Sequence, residues 1–340
     1  MKVLITGAGG FLGTRVAERL LAHGFTDIRC MLRDQGKAAR LKTIAERFPA
    51  AHVECISGNL GSRADCARAV AQVSLVIHLA AGMKGPAADL FLNSVVASNN
   101  LLAALAARPD PPEKTRVVLI SSFGVYGVAR LPRRALVNED APLESNPELR
   151  DVYSYSKLRQ ELLFREWAAK EHFELVVLRP GVIYGPGGGH MSTRVGLQAG
   201  SLYLHLGGRN LLPLSYVENC AEAIALAAMH PDTANQVYNV HDDQLISCAQ
   251  FLRQYKKNVK RLRSVRIPYY LMLFLSSLLE RYRRRSSGQI PSILTPYKVA
   301  SSWKGNRFSN LKLHSIGWKQ IVSTPEALDI TFKSLREAAK

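Results

Sequence analysis

The stretch MKVLITGAGGFLGTRVAERLLAHGFTDIRCMLRD, residues 1–34, decides the fold of this chain. Its apolar run at 3–5 predicts a buried parallel strand. The glycine-rich turn TGAGGFLG follows at 6–13, and apolar residues then recur at helical spacing up to Gly24. A second strand is predicted at 28–32. This order of strand, glycine turn, helix and strand is the unit that binds dinucleotides.

Each glycine of the spacing Gly7-x2-Gly10-x2-Gly13 has its own predicted role. The first permits a sharp turn, the second lets the backbone approach a pyrophosphate, and the third lets the helix pack close to the strand. The following helix offers unpaired N–H groups and a positive dipole end to phosphates. Phe11 and Leu12, which lie within the turn, are also predicted to contact the cofactor.

Strands and helices alternate through the first half of the chain. Further strands are predicted at 52–57, 75–81, 116–120 and 175–178, and helices at 37–48, 64–70, 88–107 and 151–171. This alternation predicts an α/β fold with a doubly wound parallel Rossmann sheet over residues 1–185. The looser pattern of residues 186–340 predicts a smaller C-terminal substrate-binding lobe, with segments near 214–228 and 236–240 returning to the sheet.

Candidate catalytic residues lie on the fifth strand's end and the long helix after it. Tyr153 and Lys157 are four residues apart on that helix, so their side chains share one face. A lysine ammonium beside a phenol lowers the phenol pKa, which suits a general acid/base. Ser122 is placed to hydrogen-bond the same substrate oxygen.

Five motifs occur in an order that resembles the extended short-chain dehydrogenase/reductase superfamily. They are TGAGGFLG (6–13), HLAA (78–81), SSFGVYG (121–127), YSYSK (153–157) and LRPGVIYGPGGG (178–189). That group contains nucleotide-sugar epimerases and dehydratases and also 3β-hydroxysteroid dehydrogenases. The resemblance covers about residues 1–240. It implies an NAD(P)-dependent oxidoreductase that acts on a secondary alcohol or ketone.

The resemblance also implies roles for particular residues. Tyr153 is the expected acid/base, Lys157 also holds the nicotinamide ribose, and Ser122 rather than Ser121 is the catalytic hydroxyl. Asn93 matches a helix asparagine that shapes the site, with a polar residue bending the helix as the alternative. The remaining predicted cofactor contacts are Asn59, Leu60, Ala80, Ala81 and Pro180.

The end of the second strand bears on the choice of cofactor. NAD-preferring members usually place a carboxylate there, where it bonds the ribose hydroxyls. Here Leu32 occupies that position and Arg33 follows, while Asp34 is one step later. A guanidinium suits a 2′-phosphate, so we predict NADP, with NAD as the alternative. Asn59 stands where the family often has aspartate, and its amide can still serve the adenine.

The net charge of +18 on 340 residues is unusual, and many cations fall between 253 and 285. They favour an anionic substrate, an anionic membrane surface or simply a solvated face. The apolar segment 267–279 between them is too short to span a bilayer, and this pattern predicts a peripheral membrane contact. Nucleic acid is not expected, because no DNA-reading motif is present.

Five scattered cysteines and the isolated His190 predict no metal site and a reducing, cytoplasmic location, and the early first strand leaves no room for a leader. Two substrate classes stay open: a nucleotide sugar, or a sterol-like or lipid-like alcohol. A non-catalytic NAD(P)-sensing protein is the alternative to an enzyme. A homodimer is predicted through the long helix, on the apolar residues Leu158, Leu162, Leu163 and Trp167.

Overall fold

The computed structural model describes residues 1–188, 191–285 and 294–338. The strands in these ranges are β1 Val3–Thr6, β2 Asp27–Leu32, β3 His52–Ser57, β4 Leu75–His78, β5 Arg116–Ile120, β6 Leu136–Val137, β7 Glu174–Pro180, β8 Val182–Tyr184, β9 Gly196–Ala199, β10 Leu202–His205, β11 Leu214–Tyr216, β12 Val237–Val240, β13 Ser264–Arg266 and β14 Arg307–Phe308. The α-helices are α1 Gly13–Ala22, α2 Ala38–Ala45, α3 Arg63–Val70, α4 Ala87–Phe91, α5 Ala97–Ala106, α6 Val152–Glu171, α7 Val217–Met229, α8 Cys248–Asn258, α9 Tyr269–Arg285, α10 Pro296–Trp303, α11 Leu311–His314 and α12 Thr324–Glu337.

The centre of the described fold is a seven-stranded sheet in the order β12-β7-β5-β4-β1-β2-β3. Every neighbouring pair in it is parallel. One apolar cluster joins one face of the sheet to α1, α2 and α7, and a second joins the other face to α3, α5 and α6. Helices therefore cover both faces, and the predicted doubly wound Rossmann fold is confirmed.

The helix predicted at 88–107 has a more complex course. It consists of α4, a π-helical turn at Leu92–Val96, and α5. The run Ala87–Ala106 is long and apolar enough, by length and composition, to cross a membrane. It packs against α3 and α6, as the core helix of a globular fold does. The π turn lies beside the site described below, and such turns are frequent at functional sites.

The chain from residue 186 contributes to two parts of the molecule. β12 pairs with β7 at the edge of the main sheet, and α7 packs on the sheet face. A separate three-stranded sheet, in the order β13-β10-β9, packs with α9 and α10. Residues 237–240 thus lie in the main sheet, whereas β11 pairs with β8 outside it. The boundary at 185/186 and the substrate-binding role of residues 186–340 stay predictions.

The homodimer also stays a prediction. Three of the four apolar residues of α6 on which it was based have partners within the chain. Leu158 is buried, and Leu163 and Trp167 pack against the core cluster beneath α6. The Trp167 indole N–H donates to Asn99 Oδ1 at 3.0 Å. An interface on α6 would therefore need more than these side chains.

Candidate active site

The glycine turn closes tightly at the end of β1. Gly7 has a φ of +74°, and the Gly10 N–H donates to the Gly7 carbonyl at 3.0 Å. A Cβ placed on Gly13 would lie 2.2 Å from the same carbonyl oxygen. Only glycine fits there, because a side chain would separate the first turn of α1 from the strand. The turn therefore presents bare backbone at a helix N-terminus, which fits a dinucleotide pyrophosphate.

A cavity of about 1160 Å³ opens at this edge of the sheet, beside the point between β1 and β4 where the strand order reverses. It holds every residue that the sequence predicted for catalysis or cofactor binding, together with Asn93. These are Gly7, Gly10, Phe11, Leu12, Gly13, Arg33, Asn59, Leu60, Ala80, Ala81, Ser122, Tyr153, Lys157 and Pro180. The roles of these residues stay predictions, but the structure brings them all to one cavity.

Tyr153 lies in the first turn of α6. Asp151 is the N-cap of that helix, and its carboxylate accepts the Ser154 N–H at 2.9 Å. Burial raises the pKa of Tyr153, and the Ser122 hydroxyl is the largest influence in the opposite direction. Ser122 itself accepts the Gly124 N–H at 3.0 Å, which orients its side chain at the cavity wall. The site is thus built for a neutral phenol beside a hydroxyl.

The predicted effect of Lys157 on Tyr153 is wrong for this structure, since the Tyr153 pKa is raised rather than lowered. The Lys157 ammonium donates to the Ile120 carbonyl at 2.6 Å and to Gln160 Oε1, so its charge is directed into the protein. Burial lowers the pKa of Lys157 to about 7. A nearby lysine thus does not ensure a phenolate when both groups are desolvated.

Gln160 was not predicted from the sequence as a residue of the site. Besides accepting from Lys157, its amide donates to Ser98 Oγ at 2.9 Å and to the Ala80 carbonyl at 3.2 Å. It thereby links the lysine to the cavity wall formed after β4. Its position three residues after Lys157 on the same helix face was the available signal. His78 joins this buried network through Ser98 at 2.9 Å, and burial lowers its pKa to about 3, as fits a structural histidine.

The two neighbouring serines at the end of β5 have different partners. Ser121 is buried and donates to Glu161 Oε2 at 2.6 Å. Glu161 also accepts from Arg179 Nη2 at 2.6 Å in an ion pair that is closed to solvent. Ser121 is therefore committed to a structural network, whereas Ser122 keeps its hydroxyl beside Tyr153.

The far end of the cavity carries cations. Leu32 is buried, and the Asp34 carboxylate accepts the Gly36 N–H at 2.9 Å as a helix cap. Arg33 Nη1 donates to Asn93 Oδ1 at 2.9 Å, which ties the strand end to the π turn. Lys37, which the sequence analysis missed, also lines the cavity, and its Cβ lies 2.9 Å from where a Cβ on Gly9 would be.

The side-chain oxygen of Asn59, Oδ1, accepts the Gly61 N–H at 2.9 Å, so that side of the side-chain amide is held within its own loop. Among the described residues, no group of three or more histidine, cysteine, aspartate or glutamate side chains is placed to hold a metal ion. His190 lies outside the described residues, so the prediction made for it is untested.

Together the sheet, the glycine turn and the cavity define a dinucleotide-binding enzyme of the extended short-chain dehydrogenase type. The chain belongs to the NAD dependent epimerase/dehydratase family, whose model matches residues 3–240. This match confirms the predicted membership of the extended short-chain dehydrogenase/reductase superfamily. Family membership favours an enzyme over a non-catalytic sensor.

Known relatives extend over nearly the whole chain. An N-acetyl-α-D-glucosaminyl-diphospho-ditrans,octacis-undecaprenol 4-epimerase from Escherichia coli is 24% identical, over 97% of this chain and 94% of its own. A decarboxylating sterol-4-α-carboxylate 3-dehydrogenase from Mus musculus is 25% identical, over 100% and 92%. The structure of a Bacillus cereus UDP-glucuronic acid 4-epimerase in complex with UDP-glucuronic acid and NAD superposes with a TM-score of 0.72 at 17% identity, covering 99% of this chain and 100% of its own.

Proposed function

We propose that this enzyme moves a hydride between NAD(P) and a secondary alcohol or ketone, with Tyr153 as the acid/base. The observation that carries the proposal is that Ser122, Tyr153 and Lys157 line the same cavity as the glycine turn. Hydride transfer needs the nicotinamide ring beside the reacting carbon of the substrate, and it needs the proton donor beside the oxygen on that carbon. A single cavity that reaches from the turn to Tyr153 meets that need.

The side chains have distinct roles in this proposal. The bound nicotinamide supplies or accepts the hydride. Because burial keeps the Tyr153 phenol neutral near pH 7, Tyr153 donates a proton to a carbonyl oxygen in the reducing direction. Ser122 donates a hydrogen bond to the same oxygen and stabilises its developing charge. Lys157, held by Gln160 and Ile120, binds ribose hydroxyls and fixes the ring's position.

The assay that tests this function follows the nicotinamide absorbance with two substrate panels. One panel contains nucleotide sugars. The other contains sterols and sugars linked to a polyprenyl diphosphate. Turnover with a lasting absorbance change identifies a dehydrogenase or reductase, whereas conversion without one, and with nucleotide retained through purification, identifies an epimerase. If neither panel is turned over and no deuterium passes between substrate and nucleotide, the proposal fails.

A lipid-like alcohol is the second candidate substrate. It is favoured because two full-length relatives are named for lipid substrates, an undecaprenol-linked sugar and a sterol carboxylate. The nucleotide-sugar candidate is supported by the UDP-glucuronic acid held in the superposed structure. The two panels of the assay separate these candidates directly.

We further propose that NADP binds more tightly than NAD. Arg33 and Lys37 both line the distal end of the cavity, and the nearest carboxylate, Asp34, is used as a helix cap. Two cations beside the adenine ribose suit a 2′-phosphate. The neighbouring structure holds NAD, so this preference would distinguish the present chain from it.

Arg33→Ala is therefore expected to weaken NADP binding by about tenfold and to leave NAD binding nearly unchanged, because only NADP carries the extra phosphate. Calorimetric titration of each nucleotide measures both affinities. Lys42→Ala is the control, since Lys42 is an exposed cation of α2 that does not line the cavity. Identical NADP and NAD titrations of the wild-type protein would contradict the preference.

A further inference from the structure

The α9 helix exposes an apolar stripe that no other described part of the chain covers. Its inner face packs against α10 through Met272, which is 6% exposed, and Ser276 is also fully buried. The large side chains on its outer face are at least 37% exposed and fall in two adjacent rows. One row is Tyr270, Phe274, Leu278 and Tyr282, and the other is Leu271, Leu275 and Leu279. Spacing by four places each row along one helix face.

The hydroxyls within α9 do not interrupt this stripe. Both Ser276 and Ser277 donate to the Leu273 carbonyl of their own helix, at 2.8 and 2.9 Å. The stripe is therefore continuous over about 18 Å, from the twelve-residue separation of its end tyrosines at the helical rise. Tyr270 and Tyr282 are 67% and 61% exposed, and they place an amphipathic ring at each end. Continuous exposed apolar surface of this kind marks an interaction site.

The charge around the stripe is almost entirely positive. Residues 253–285 contain eleven Lys or Arg and a single acid, Glu280, so ten of the chain's eighteen net positive charges lie here. Arg266 is exposed just before the helix, and Arg281 and Arg285 are exposed on its last turns. Arg133, from a separate loop, also lies near the start of the helix. Burial raises the pKa of Tyr269 there, and the charge of Arg133 opposes that rise.

We propose that α9 docks this protein on an anionic lipid surface. The apolar stripe enters the headgroup boundary, the tyrosines lie at its two ends, and the surrounding cations meet lipid phosphates. A second copy of the chain is a poorer occupant, because pairing two such faces would bring two dense cation clusters together. The helix is a half-exposed surface element, with Met272 and Ser276 buried and the stripe facing outward.

Vesicle co-sedimentation of the full-length protein tests the docking, and its readout does not depend on any substrate. The wild-type protein is expected to bind vesicles that contain phosphatidylglycerol, to bind less as salt rises, and to ignore phosphatidylcholine alone. Phe274→Ser with Leu278→Ser keeps every charge and is expected to weaken binding roughly tenfold or more. Arg281→Ser with Arg285→Ser is expected to weaken binding to these vesicles at low salt and to make binding less sensitive to salt.

Leu311→Ser is the matched control, because Leu311 is 75% exposed on α11 and lies outside the stripe. It is expected to bind vesicles as the wild type does. A tryptophan at Phe274, but not at Leu311, should be quenched by brominated lipid. The proposal is overturned if the wild type does not bind at low salt, or if the Phe274→Ser/Leu278→Ser variant binds unchanged. It is also overturned if sedimentation velocity shows a dimer that this variant abolishes, since the occupant is then a second copy.

Discussion

Tyr153→Phe is expected to lower kcat by roughly 10²-fold or more while nucleotide affinity stays nearly unchanged. The substitution removes the phenolic hydroxyl and keeps the ring, so the packing of the α6 first turn is preserved. Initial rates on the substrate identified by the two panels measure kcat, and nucleotide titration measures cofactor affinity. Full turnover by Tyr153→Phe would show that another group moves the proton.

The same residue predicts how the wild-type rate depends on pH. A raised phenol pKa keeps the proton donor present through neutral pH, so Tyr153 is expected to cause no loss of the reduction rate there. Alcohol oxidation needs the phenolate, so its rate should rise with pH. Tyr155→Phe is a suitable control, because Tyr155 lies on α6 but is not among the residues that line the cavity. It should change neither the rate nor the pH profile.

Arg179→Met is expected to destabilise the protein by about 3–5 kcal/mol, because it removes the buried guanidinium that neutralises a buried carboxylate and leaves only the half-exposed Arg165 as its cation. Glu161 is fully buried and is bonded by Arg179 through both Nε, at 3.2 Å, and Nη2, at 2.6 Å. Burial alone would raise the pKa of Glu161, but Arg179 and Ser121 outweigh it and hold the pKa below its usual value. Urea unfolding of wild-type and variant proteins measures the difference in free energy.

A matched control is available on the same carboxylate. Arg165 also bonds Glu161 Oε1, at 2.9 Å, but its side chain is 39% exposed. Arg165→Met should therefore cost less than about 1 kcal/mol. The double variant Glu161→Leu/Arg179→Met should recover most of the stability lost in Arg179→Met, since it leaves no unpaired charge. Equal losses for the two single variants would contradict this account of the ion pair.

Much of the site could be predicted because its signals are local in the chain. The glycine spacing and the apolar run before it specify the turn, and the four-residue spacing of Tyr153 and Lys157 specifies a shared helix face. Parallel strands end at one edge of a sheet, so residues that follow β1, β4, β5 and β7 were expected together. All the predicted cofactor and catalytic residues line one cavity as a result.

The sequence by itself thus determined the α/β class, the glycine turn and the set of residues at the cavity. The tertiary structure alone decided which way the Lys157 ammonium points, which of two adjacent serines pairs with Glu161, and which face of α9 stays outside. These outcomes depend on burial and on hydrogen-bond partners that are distant in the chain. The Tyr153 pKa shows the consequence, because desolvation, which no spacing encodes, raises it where a neighbouring lysine was expected to lower it.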